Sequence, residues 1–354
     1  MLQHAQKHLR ILSVGTYQRQ QNLSRFYETA FKLHAGFEKL GHLVVGFSLR
    51  DEIRSRRILG LNKVGRRAAV HALTSIASEL EPDIILFDHV DQLQADDFLI
   101  LKKAAPQAIF AQYQVDSTKR DRAMAFCAAR APFMDVNFIT SAVDLSKEPV
   151  FPRDRPLNFM PNPVAAAIER GQAHMISREE LIYDVLFIGS RCVDRPQQLE
   201  VLQKLLPKNT RHFFTGHATG SKRITGQAFL NMLSSAAMAP SLQPDSKQSE
   251  TYLYASTRVA QQLGSGVLTF VHESTKLKDL YDDGIVEYQS IQDLADKIGE
   301  LMADDEERQR RATIGHQIAH QKTSAERVCA YMLDVIYGRS SAHDYGWITK
   351  LSAA

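Results

Sequence analysis

Residues 252–284, YLYASTRVAQQLGSGVLTFVHESTKLKDLYDDG, hold the pattern on which the fold reading turns. Ser256 and Thr257 are small hydroxyl residues of the kind that open a helix, and the helix predicted from them runs through Arg258 to Leu263 and stops at Gly264-Ser265-Gly266. The apolar run Val267 to Val271 then reads as a short buried strand, and a second helix leads to the turn at Asp282-Asp283-Gly284. A helix start with free backbone N–H groups, hydroxyls and an arginine suits a phosphate. The stretch is therefore a candidate nucleotide site.

The same alternation extends in both directions. In the first half the apolar runs are Leu9 to Gly15, Leu43 to Phe47, Ile84 to Phe87, Ala108 to Ala111 and Val136 to Ile139, with helical patterns at Arg25 to Leu40 and Arg67 to Leu80. In the second half they are Val185 to Gly189, His212 to Thr215, Val267 to Val271 and Ile285 to Tyr288. Apolar strands with little polar interleaving, separated by helices, predict an α/β fold whose parallel sheets are covered on both faces. Between the halves, residues 148–163 hold five of the twelve prolines, which prevents helix and stiffens a connection. The expected organisation is an N-terminal domain over 1–160, a C-terminal domain over 161–338 and a tail over 339–354. By analogy the last helix crosses back to the first domain.

A length of 354 residues favours two domains. Apolar residues make up 44 % and charged residues 23 %, which excludes disorder as the main state. The 43 basic and 40 acidic residues balance to +3, too little to argue for nucleic acid. Three distant cysteines, Cys127, Cys192 and Cys329, fit a reducing compartment and give no disulfide framework. No signal-peptide pattern opens the chain and no apolar run approaches the ~20 residues that span a bilayer, so a cytoplasmic location is expected, free or peripheral to a membrane.

Arg258-Val-Ala-Gln261-Gln-Leu-Gly-Ser-Gly266 resembles the R-x-F-E-A-L-A-C-G segment of GT-B fold glycosyltransferases, especially their CgeB-like and group 1 branches. Asp184 to Arg191 is similar to the first strand and phosphate turn of their C-terminal domain, and Met160 to Val164 to their interdomain linker. The resemblance covers roughly residues 155–338. It implies two Rossmann-like domains facing across a cleft, a nucleotide-sugar donor on the second domain and an acceptor on the first, with no metal cofactor. At the position of Gln261 the family usually carries Glu, whose carboxylate accepts hydrogen bonds from the donor ribose. Glutamine keeps an acceptor oxygen and loses the charge.

Ligands of open α/β sheets bind outside the carboxyl ends of the strands, so strand-end residues are the site candidates. On the donor side they are Gly189, Ser190 and Arg191 after one strand, Gly216 and His217 after the next, and Ser256, Thr257, Arg258 and Gln261 at the helix start. Glycine admits the pyrophosphate closely, and arginines meet the charge that leaves with it. Residues 216–222 look like a phosphate loop but lack its Gly-Lys-Ser/Thr ending, and read as a strand-end loop near the base. On the acceptor side, Asp88, His89 and Asp116 are the catalytic candidates, with a histidine pKa near the working pH; Gln112 and Gln114 compete for the role. Thr16-Tyr17-Gln18 is read as closing over the acceptor.

Two further features have bland readings. His316 and His320 lie four apart on a helix, with no third metal ligand spaced near them, and read as a solvated face. The segment from Arg50 to Arg67 carries Arg50, Arg54, Arg56, Arg57, Lys63, Arg66 and Arg67 against Asp51 and Glu52. It reads as a solvated basic face or as a contact for an anionic membrane surface or an acidic acceptor. The expected activity is metal-independent transfer of a sugar from a nucleotide-sugar to a glycan, lipid-linked or protein acceptor. The alternatives are a nucleotide-sugar epimerase and a non-catalytic binding or scaffold protein of the same architecture.

Overall fold

The computed structural model describes residues 8–118, 121–142, 151–152, 154–155, 157–190, 192–216, 219–243, 251–339 and 344–348. The first sheet is built from β1 (Arg10–Gly15), β2 (Leu43–Ser48), β3 (Ile84–Asp88), β4 (Ile109–Gln114), β5 (Val136–Ile139) and β6 (Leu157–Phe159). All are parallel, in the order β2-β1-β3-β4-β5-β6. The second sheet contains β7 (Tyr183–Ile188), β8 (His212–Thr215), β9 (Ala236–Ser241), β10 (Leu268–His272) and β11 (Ile285–Tyr288). It is parallel too, in the order β11-β10-β9-β7-β8. This is the two-domain α/β architecture that the alternating pattern predicts.

Each sheet buries both faces, and the period of two decides which residue goes where. In the first sheet Leu12, Val14, Ile85 and Phe87 pack under Val70 and Leu73 of the helix Asn62–Leu80. Their neighbours Ile11, Ile84 and Leu86 pack on the opposite face with Leu33 and Phe37 of the helix Thr29–Lys39. Burial of each such side chain stabilises the fold by about 1.5–3 kcal/mol.

Two strands escape the sequence pattern. β9 reads AAMAPS, a run of weak strand formers with a proline, yet it lies between β7 and β10 and is buried almost throughout. Its small side chains fit a central position whose formation depends on the flanking strands. β6 lies inside the proline-rich connection; as an edge strand of three residues it tolerates the prolines around it.

The C-terminal helix Ala325–Ile336 belongs to the core of the first domain, against the helix Thr29–Lys39. A Cβ at Gly36 would lie 2.5 Å from the Ala325 carbonyl, so only glycine permits this approach. Cys329 Sγ donates to the Leu33 carbonyl at 3.3 Å.

The connection between the domains is pinned by a buried polar corner. Lys32 and Glu169 form an ion pair with both side chains sealed from solvent. Lys32 Nζ also donates to the Pro163 carbonyl at 3.1 Å, and Glu169 Oε2 accepts from the Ala165 N–H at 2.9 Å. Asn162 Nδ2 donates to the Ala255 carbonyl at 2.5 Å.

The histidine reading needs correction. His316 is half-buried rather than freely solvated: its ring stacks on His174 with centroids 4.1 Å apart and lies 4.2 Å from His320. Burial, with His320 and His174 beside it, pushes His316 down to about 3, so that ring is packed as a neutral imidazole. His174 comes from a turn far away in sequence, which spacing could not show. Among the described residues no group of three His, Cys, Asp or Glu side chains is arranged to hold a metal ion, and no helix is long and apolar enough to cross a membrane.

Candidate functional site

The strand orders place the switch points between β1 and β3 in one sheet and between β7 and β9 in the other. The residues following these strands line one cleft between the domains, with a cavity of about 310 Å³. A ligand can therefore touch both sheets at once.

On the second-domain wall, the loops after β7 and β8 meet backbone to backbone. Gly216 has a φ of +93°, and a Cβ there would lie 2.6 Å from the Gly189 carbonyl. A Cβ at Gly189 would lie 2.6 Å from the Phe187 ring and 3.2 Å from Arg258 Nη2. The two glycines are needed for this close floor. Ser190 lines the cleft beside them; Arg191 and His217 lie outside the described residues.

Ser256 caps the helix Thr257–Gly264 by position only, since its side chain makes no cap bond. Its buried Oγ has no hydrogen-bond partner among the described residues. The guanidinium of Arg258, in the first turn, lies 4.9 Å over the Phe187 ring, and its buried Nη1 also has no partner there. Burial first, then the neighbouring Arg195, push Arg258 down to about 9, which leaves it charged at neutral pH.

Arg195 also lines this wall and was not among the residues that the sequence suggested. It starts the helix Arg195–Leu205 and is held by the carbonyls of Ser190 (Nη1, 3.1 Å) and Leu242 (Nη2, 3.1 Å). A signal did exist: a cation in the first turn opposes the helix macrodipole, a mismatch that an anion would resolve. Arg258 presents the same mismatch. Two helix N-termini and two guanidiniums thus meet on this side of the cleft, where the described cavity-lining residues of the second domain include no carboxylate, although Asp194 stands at the N-cap of one of the helices. Such an arrangement suits a multiply charged anion.

Gln261 is buried and donates from Nε2 to the Tyr27 carbonyl of the first domain at 3.3 Å. A glutamate could not make this bond, so the amide has a use across the cleft that the usual family residue lacks. Tyr27 itself stacks on Phe229 of the second domain, centroids 4.5 Å apart, and the Gly226 N–H donates to the Ser24 carbonyl at 2.7 Å. The segment before the helix Thr29–Lys39 thus bridges both walls.

On the first-domain wall stand Thr16 after β1, Asp88 and His89 after β3, and Asp116 after β4. Tyr17 turns away from the cleft into the core, packed over Gly46. Gln112 is structural, bonded to the Cys127 carbonyl and Asn137. Gln114 accepts from the Val115 and Asp116 N–H groups and so fixes the loop that presents Asp116.

His89 adopts a φ of +47°, an uncommon conformation for a residue with a side chain. The turn sets its ring between two carboxylates, with Nδ1 on Asp88 and Nε2 on Asp116 at 3.4 Å. The Asp88 charge is the largest cause that raises His89 to about 10, against the opposing effect of burial. This corrects the expectation of a pKa near the working pH. A ring that stays protonated cannot take a proton at neutral pH; it can orient carboxylates and offer positive charge.

The folded-state value lies above the ordinary 6.5. The charged ring therefore stabilises the fold fully below about pH 6.5, and that contribution is lost as pH rises to about 10. A melting-temperature series for wild type and His89→Gln should show a gap at pH 6 that closes toward pH 10. A constant gap would mean that the ring is not held as a cation.

The glycosyl transferase-like family profile matches residues 197–334. No curated protein matches the sequence. Among solved structures, HepE of Anabaena in complex with UDP-glucose is similar at 10 % identity and a TM-score of 0.61, over 94 % of this chain and 100 % of that one. Sucrose-phosphate synthase from Thermosynechococcus elongatus is similar at 11 % identity and 0.61, over 95 % and 100 %. A glycosyltransferase from Rickettsia africae is similar at 12 % identity and 0.55, over 94 % and 99 %. The profile match covers the larger part of the second domain, and the two facing Rossmann-like domains have the GT-B fold.

Proposed function

We propose that the chain transfers a sugar from a nucleoside-diphosphate sugar to an acceptor hydroxyl, within the branch of the family that its motifs resemble. The observation that carries this reading is the pair Arg195 and Arg258, each at a helix start and both lining the cleft. A diphosphate leaves readily only when its growing charge is met, and two guanidiniums with two helix termini supply that charge without a metal. Ser256, Thr257 and Ser190 supply hydroxyls to the phosphates, and Gln261 Oε1 accepts from the ribose. Because HepE is seen with UDP-glucose, a uridine diphosphate sugar is the first donor to try.

The acceptor occupies the first-domain wall. Asp116 is the better proton acceptor of the two carboxylates, because its side chain is 28 % exposed against 8 % for Asp88. His89 holds both in register. Tyr27 and Gln261 join the walls and exclude water, so that the sugar meets the acceptor before solvent.

The test is a thermal-shift titration with UDP, GDP, dTDP and ADP and their sugars, followed by release of the diphosphate with and without acceptor glycans. A rise in melting temperature with one diphosphate, and acceptor-dependent release from its sugar, is the expected result. Conversion of the nucleotide-sugar without any acceptor would assign an epimerase instead, and no shift with any nucleotide would remove the donor site.

A further inference from the structure

The loop between the helix Leu49–Ser55 and the helix Asn62–Leu80 projects three large apolar side chains into solvent. Ile58, Leu59 and Leu61 are 64 %, 94 % and 55 % exposed. Leu59 has a φ of +52° and Gly60 one of +75°, and an added Cβ at Gly60 would meet nothing within 4 Å, so this turn forms an open tip. Arg54, Arg56 and Arg57 precede the tip, Lys63 and Arg67 follow it, and all five are exposed. Arg56 is paired with Glu52 at 2.8 Å, and Arg54 lies 3.9 Å from Asp51. Arg57, Lys63 and Arg67 have no carboxylate partner among the described residues.

We infer that residues 54–67 form a docking surface for an anionic lipid bilayer. Contiguous apolar residues at the tip of a surface loop mark an interaction site more often than an ordinary surface. Here the apolar tip sits inside a ring of cations, which is the pairing that a bilayer interface rewards: acyl boundary for the tip, anionic headgroups for the ring. Nucleic acid fits less well, because the segment 49–67 contains no aromatic residue on which a base could stack. The helix Leu49–Ser55 spans about 10 Å and carries Arg50, which lines the cleft, at its start. On the proposed function, and resting on it, this brings the acceptor wall close to the bilayer and favours an acceptor carried on a lipid.

The test sediments the full chain with vesicles of phosphatidylcholine alone and of phosphatidylcholine with about one-third phosphatidylglycerol. Binding is expected only to the anionic vesicles, and it should weaken as salt rises. The double variant Ile58→Ser/Leu59→Ser should lower partitioning about ten-fold or more, and Arg57→Glu/Lys63→Glu/Arg67→Glu should abolish it, with melting temperatures unchanged. Wild-type protein left in the supernatant, or apolar-tip variants that pellet as well as wild type, would overturn the inference. A dimer dissolved by Leu59→Ser, without vesicle binding, would assign the patch to a second copy. The readout is independent of activity: vesicle binding with no nucleotide shift would sink the proposed function and leave this surface standing.

Discussion

Arg258→Ala lowers kcat and raises the KM for donor together, with kcat/KM falling by about 10²–10³-fold, if the leaving diphosphate is neutralised where the cleft gathers its positive charge. The side chain is fixed over Phe187 at 4.9 Å and its Nη1 is buried without a hydrogen-bond partner among the described residues. A partner supplied only by the departing phosphates strengthens as their charge grows, so the loss must appear in kcat as well as in binding. Arg258→Lys retains the charge but not the planar fork, and should recover only part of the loss. Initial rates over a donor series decide the matter. A variant with unaltered kcat and a raised KM would make Arg258 a binding residue alone, and full activity in Arg258→Ala would displace the site.

The largest stability effect is expected at the corner between the domains. Lys32→Met removes the cation from a pair whose side chains are both fully sealed, leaving Glu169 as an uncompensated buried carboxyl. Breaking a buried pair in this way costs about 3–5 kcal/mol. Burial already raises the Glu169 carboxyl above its ordinary range with Lys32 in place. In the variant Glu169 should take up a proton in the folded state, so folding binds protons and stability declines as pH rises. The deficit in urea-induced unfolding should therefore be larger at pH 8 than at pH 5, and Lys32→Met/Glu169→Gln should recover much of it. A deficit that is equal at both pH values, with no recovery in the double variant, would mean that lost packing rather than charge is responsible.

Apart from β6 and β9, the strands of both sheets and the helix from Thr257 were legible, because a strand buried on both faces is mostly apolar and a helix start favours small hydroxyl residues. The run Val267 to Val271 and the helix from Thr257 appear within one residue of where the pattern puts them. β9 was not legible, since Ala and Met become strand only between β7 and β10. The same limit hid the approach of Arg195 to Arg258, which is distant in the chain, and the His174 ring that stacks on His316.

Chain order and side-chain chemistry thus determined by themselves that two parallel α/β domains form and that their strand ends carry arginines, glycines, carboxylates and a histidine. Only the tertiary structure decided what those groups become. Enclosure between Asp88 and Asp116 makes His89 a fixed cation, and the approach of the two domains gives Gln261 a bond to the Tyr27 carbonyl. The physical reason is common to both: local pattern is set by the backbone and solvent preference, whereas charge state and partner depend on distance and burial between residues far apart in sequence.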